Sequence, residues 1–161
     1  MSEATLVLDA NVLISFHKAE WFESLAFWTD DYELATPKQV WEQEFKPRRE
    51  IQTPPDWLTV ESVRTRGQKL STPGQLSAND WRVLLLTKAS DGIMVTSDRA
   101  LRERAETEYE LQVKWAGGFL LETFTGCGIA TSEYEHGIET YLEDAYLPRE
   151  VSDELRQAEK S

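Results

Sequence analysis

The feature that most narrows what this chain can fold into is a pattern that occurs twice: a short apolar run that closes on an acid and passes directly into a helix. TLVLD, residues 5–9, is the first, and GIMVTSD, closing on Asp98, is the second. Continuous apolar runs of this length read as strands buried on both faces, which is the pattern of a parallel sheet, and parallel strands need crossover helices. The intervening segments supply them. Helices are expected over 11–18, with Val12, Leu13 and Phe16 on one side, and over the amphipathic stretch 21–28. A third is expected over 36–45, with Thr36 as its cap and Pro37 in its first turn. Others are expected over 77–89, 98–106 and 117–124, and further strands over 32–35, 57–63 (an edge strand), 92–96 and 111–113. Residues 46–56, with three prolines, read as a loop, and 64–75, with Gly67, Pro73 and Gly74, as the most mobile loop. Beyond Gly128, Tyr134, Ile138, Tyr141, Leu142 and Ala145 mark a helix, and Val151 and Leu155 mark another after Pro148. Strands alternating with helices imply an α/β fold: a three-layer α/β/α sandwich around a central, mostly parallel, doubly wound sheet. Residues 1–128 form the expected domain, and 129–161 a helical extension packed on it.

A chain of 161 residues suffices for one such core and not for two. No apolar run approaches the roughly 20 residues of a membrane helix. The opening MSEATLVLDA lacks the basic and apolar regions of a signal peptide, so a cytoplasmic protein is expected. Cys127 is the only cysteine, which excludes an intrachain disulfide and a cysteine-based zinc site, and the two histidines, His17 and His136, are far apart in sequence. Metal chemistry in this chain would therefore run on carboxylates, which favour hard ions such as Mg²⁺ or Mn²⁺. The net charge of −12 opposes phosphate binding. Cations bound among the carboxylates would offset it locally, and a salty cytoplasm is an alternative origin for so acidic a surface. The cations fall in three groups, Lys46 with Arg48 and Arg49, Arg64 with Arg66 and Lys69, and Arg99 with Arg102 and Arg104, each of which reads first as solvated charge.

In an open parallel sheet, ligands bind beyond the carboxyl ends of the strands. Asp9 and Asp98 both lie there, and if their strands are neighbours their charges converge and call for a cation. Asp80, with Val83 and Leu84 at i+3 and i+4, and Glu44, on the side of Val40 and Trp41, reach towards the same edge from inward helix faces. Each has an ordinary alternative. Asp98 can cap the helix that follows it, Ser77-Ala-Asn-Asp80 spells a capping box, and Glu44 can be a solvated helix residue. Asp9 is the hardest to explain in that way.

The ordered set resembles the PIN-domain family, including the VapC-like ribonucleases of toxin–antitoxin pairs. LVLDANVLISFHKAEWFESL resembles the family's strand–Asp–x–Asn/Ser–helix opening, at Asp9 and Asn11. TPKQVWEQEF resembles its Glu-bearing second motif, and LSANDWRVLLLTKASDGIMVTSDRALRERAE its third and fourth, at Asp80 and Asp98. LQVKWAGGFLLETF resembles the last strand and its helix, so the likeness covers about residues 5–126. Counting the second motif from Trp41 gives Glu44, counting from Val40 gives Gln43, and Glu42 is the fallback. The resemblance implies that Asp9, Glu44, Asp80 and Asp98 hold one or two Mg²⁺ or Mn²⁺ ions for hydrolysis of RNA. Asn11, Thr96 and Ser97 would orient these acids or a bound water, and Arg99, Lys46 and Arg48 would meet RNA phosphates. The role would be that of a toxin or of an RNA-processing nuclease. The resemblance also implies a homodimer, with aromatics among Trp21, Phe22, Phe27 and Trp28 as its candidate face, and a small antitoxin protein as a partner of toxin members.

Two other readings stand beside it. Asp9-x-Asn11 after a strand also resembles the haloacid-dehalogenase phosphatases, but Asn11 cannot do the work of their second acid. The alternative function is a catalytically weak or inactive PIN module that binds RNA or a protein partner.

Overall fold

The computed structural model describes residues 4–49, 51, 53–63, 77–145 and 147–158, with the side chains of Arg48 and Arg49 excepted. The loop expected over 64–75 and the cations Arg64, Arg66 and Lys69 lie outside the described residues. Five parallel strands, β1 (Ala4–Leu8), β2 (Tyr32–Pro37), β3 (Leu58–Glu61), β4 (Ile93–Thr96) and β5 (Gln112–Trp115), form one sheet in the order β3-β2-β1-β4-β5. The two acid-closed runs are thus neighbours in the sheet, in register Leu6↔Ile93, Val7↔Met94 and Leu8↔Val95. Leu6, Val7, Leu8, Met94 and Val95 are fully buried, as central strands covered on both faces must be. At the edges, β3 and β5 carry mostly half-exposed side chains.

Helices cover both faces. α1 (Ala10–Lys18) and α6 (Ala116–Thr125) contact β4 on one side, together with a 3₁₀ helix, Phe22–Asp30. α4 (Ala78–Ser90) lies over β1, β2 and β4 beside α5 (Arg99–Glu108). A sheet between two helical layers is the sandwich that the alternation predicts.

The crossover from β2 to β3 departs from the expectation in two ways. Thr36 and Pro37 do not open a helix. They finish β2, where the buried Thr36 hydroxyl donates to the Leu8 carbonyl at 2.9 Å instead of capping. The helix starts one residue later as α2 (Lys38–Val40), widens into a π turn over Trp41–Phe45, and continues as α3 (Lys46–Arg49) into the segment expected to be a loop. In the π turn the Lys46 N–H reaches the Trp41 carbonyl, an i→i+5 bond. Pro47 has no N–H to return to Gln43, and the slipped hydrogen-bond ladder lets the helix pass this proline rather than end at it.

The segment after Gly128 is part of the main core. α7 (Thr131–Ala145) packs on α1, and Tyr134 lies between the rings of Trp21 and Phe124, with centroids at 5.5 and 3.9 Å. Gly137 faces the Ala19 carbonyl and the Trp21 indole so closely that a Cβ would lie 2.5 Å from the former and 2.8 Å from the latter, which only glycine permits. α8 (Arg149–Ala158) is tied on by the Tyr134 hydroxyl, which donates to the Leu155 carbonyl. Three of the four aromatics considered for a dimer face, Trp21, Phe22 and Trp28, are buried here, and only Phe27 is exposed. Among the described residues, no helix is long and apolar enough to cross a membrane.

Candidate active site

Strand order fixes where a ligand can sit. From β1 the chain moves outward through β2 to β3, then returns to the other side of β1 for β4 and β5, so the switch point lies between β1 and β4. Asp9 and Asp98 stand just beyond those two strands. The Asp9 N–H donates to the Val95 carbonyl at 3.1 Å, which locks the two strand ends together. Asp9 is only 5% exposed. Its Oδ1 accepts from the Ala10 N–H at 2.8 Å and its Oδ2 from the Thr96 hydroxyl at 2.7 Å. The Thr96 oxygen in turn accepts the Asp98 N–H at 3.0 Å, so one fully buried hydroxyl orients both strand-end acids.

Asp98 caps α5 by accepting from the Leu101 N–H at 3.1 Å. Asp80 completes the capping box of α4, its Oδ2 accepting from the Ser77 N–H while the Ser77 hydroxyl accepts from the Asp80 N–H, both at 3.1 Å. The ordinary cap readings are therefore realised, and the caps also converge electrostatically. Burial, aided by the charges of Asp80 and Glu44 and opposed by the hydrogen bonds of Thr96 and Ala10, pushes the Asp9 carboxyl up to about 7. Burial likewise raises Asp80, with Asp98 adding to the effect and the Ser77 hydrogen bonds opposing it. Asp9 thus feels the charges of Asp80 and Glu44, and Asp80 feels that of Asp98.

The second motif has three acid or amide side chains in a row, and they part company. Glu42 pairs with Lys46 at 3.2 Å in solvent, Gln43 meets Asn79 at the rim, and Glu44 is half-buried with its charge felt at Asp9. Asn11 lies on α1 two residues beyond Asp9, its Oδ1 buried without a hydrogen-bond partner, and Ser97 is half-buried between Thr96 and Asp98. Arg99 is strongly exposed and pairs with Glu103 at 2.9 Å, Lys46 is taken by Glu42, and the Arg48 side chain lies outside the described residues.

Every donor gathered here is an oxygen: four carboxylates, the Thr96 hydroxyl and the orphaned Asn11 amide oxygen. His17 is packed against the rings of Phe22 and Phe45, His136 pairs with Glu20, and Cys127 is exposed on the turn after α6. That donor set suits a hard divalent cation and not zinc or copper. Among the described residues, no three His, Cys, Asp or Glu side chains are drawn together into a ready-made cage. The acids are linked pairwise by charge, Asp80 and Glu44 to Asp9 and Asp98 to Asp80.

Sequence reasoning did not single out Asn79 and Arg82. Arg82 Nη1 donates to Asn79 Oδ1 at 2.8 Å, and Asn79 Nδ2 donates to Gln43 Oε1 at 3.3 Å, so these residues link α4 to the π turn beside the acids. The only signal was adjacency, Asn79 to Asp80 and Gln43 to Glu44. No protein-family model matches this sequence, and a search of curated proteins finds no match.

Proposed function

We propose that this protein is a metal-dependent endoribonuclease of the PIN type, with Asp9, Glu44, Asp80 and Asp98 as the acids that hold Mg²⁺ or Mn²⁺. The observation that carries this reading is Asp9, a carboxylate buried at the β1/β4 switch point and held towards neutrality by burial and by two further acids. A carboxylate buried within reach of other acid charges is costly unless it stays protonated or a cation compensates it. A divalent ion bound there supplies Lewis acidity, which activates water and offsets charge on a phosphodiester.

The remaining work falls to the chain itself. Thr96 holds Asp9 by its Oδ2 and Asp98 by its backbone, which fixes the spacing of the two strand-end acids before any ligand arrives. Asn11, two residues after Asp9, carries a buried, unsatisfied acceptor that a water or an ion would satisfy. Ser77 holds Asp80 on the first turn of α4. The fourth acid, Glu44, is supported over Glu42 and Gln43 by its charge being felt at Asp9.

The test is cleavage of labelled single-stranded and structured RNA in Mn²⁺, Mg²⁺ or EDTA. Metal-dependent cutting is expected from the wild type, with a loss of about a hundredfold or more in Asp9→Asn and Asp98→Asn. No cutting with any metal, together with no metal-dependent rise in melting temperature, would reject the nuclease. That outcome would favour the non-catalytic binding module.

A further inference from the structure

We infer that Arg82, held in place by Asn79 and bridged through it to Gln43, forms a phosphate-anchoring subsite that seats an RNA strand beside the carboxylate cleft; this rests on the nuclease reading above. The first reason is charge. The chain has 29 acids, and several surface cations pair with them, Arg99 with Glu103, Arg102 with Glu106, Arg104 with Glu108, Lys114 with Glu122 and Arg156 with Glu139, whereas Lys38, Lys88 and Arg149 are exposed and carry no such pair among the described residues. Arg82 is different. It is half-buried, its hydrogen-bond partner is a neutral amide, and it pairs with no carboxylate among the described residues.

The second reason is unused donor capacity. A guanidinium carries five N–H donors in a flat fork that suits a phosphate. The Arg82 Nε is buried with no partner. A desolvated cation with a spare donor gains most from an anion that takes two of its N–H groups at once.

The third reason is place. Arg82 follows Asp80 by two residues on α4, about 200° round the helix, so it points away from Asp80 and is tied back towards the acids only through Asn79. Asn79 and Gln43 lie next in sequence to Asp80 and Glu44, and their long, exposed hydrogen bond spans from α4 to the π turn. An anion drawn to Arg82 is therefore held at the margin of the cleft, where a phosphate neighbouring the scissile one belongs. In a protein of net charge −12, such a fixed cation is what would keep a polyanion at an acidic site.

The experiment measures binding of a fluorescent single-stranded oligouridylate to the full chain carrying Asp98→Asn, in Mg²⁺, over a range of salt. Adding Arg82→Ala is expected to weaken binding about tenfold and to lower the slope of log K against log salt by about 0.7. Arg82→Lys, which keeps the charge and loses the fork, should recover the slope and only part of the affinity. Melting curves of each variant establish folding. If Arg82→Ala melts like its parent and binds RNA with the same affinity and slope, the subsite is wrong even where the wild type cuts RNA. No RNA binding by the parent at low salt also rejects it. Arg82-dependent capture of polyglutamate but not of RNA would overturn it in favour of an acidic protein partner. Conversely, Arg82-dependent RNA binding by a wild type that cuts nothing would remove the nuclease and leave the subsite standing.

Discussion

At the scale of single residues, the informative group is Asp9. Its carboxyl moves from an ordinary 3.8 to about 7 on folding. Because the folded value is the higher one, the native state keeps a proton that the unfolded chain gives up between those two values. The stabilisation is therefore complete below about pH 4 and is lost as pH rises through about 7. In metal-free protein the gap corresponds to on the order of 4 kcal/mol by pH 8. Asp9→Asn removes the titration. Thermal melts in EDTA are expected to show the variant gaining on the wild type by several degrees between pH 4 and pH 8, and a difference that does not change with pH would contradict this account. Thr96→Val tests the hydroxyl beside it. Losing the donor to Asp9 and the acceptor for the Asp98 N–H should cost about 1–3 kcal/mol in denaturant titrations. Asp9 stood out in the sequence because an acid closing a buried apolar strand has few ordinary explanations, whereas Asp98 also reads as the cap of α5 that it is. Arg82 did not stand out, since nothing in the order of residues says that a given arginine goes without an acidic partner.

At the scale of elements, the crossover helix from 38 to 49 shows where local reading stops. Three prolines in a short stretch signal a loop, yet only Pro54 and Pro55 lie outside the helix. The π turn has no sequence periodicity of its own. It arises from tertiary packing, with Trp41 and Phe45 buried and stacked at 4.7 Å while the ladder slips by one residue. The same slip leaves Glu44 inward and Gln43 at the rim, which is why counting along the chain could not choose between them. Pro47→Ala returns an N–H to the ladder, and it should stabilise the helix by about 2 kcal/mol while easing the π turn towards regular α. The expected result is a higher melting temperature in EDTA together with weaker Mn²⁺ binding by calorimetry. Unchanged Mn²⁺ affinity would show that the turn does not set the position of Glu44.

At the scale of the whole molecule, the layers were legible because buried parallel strands are apolar throughout and their helices are amphipathic. The extension after Gly128 packs firmly on the rest of the chain: Tyr134, Ile138 and Tyr141 belong to the same buried cluster as Phe16 and Trp21. A chain ending at Gly128 would uncover Trp21, Phe16 and Phe124 together. It is expected to lose its cooperative melt by circular dichroism, whereas a merely appended tail could be removed with little effect. Strand order carries a last consequence, for synthesis. β1 is made first but lies between β2 and β4, and Asp9 and Glu44 leave the ribosome well before Asp80 and Asp98. A growing chain therefore holds half of the acids and no cleft, and any activity of that cleft is withheld until translation has passed β4.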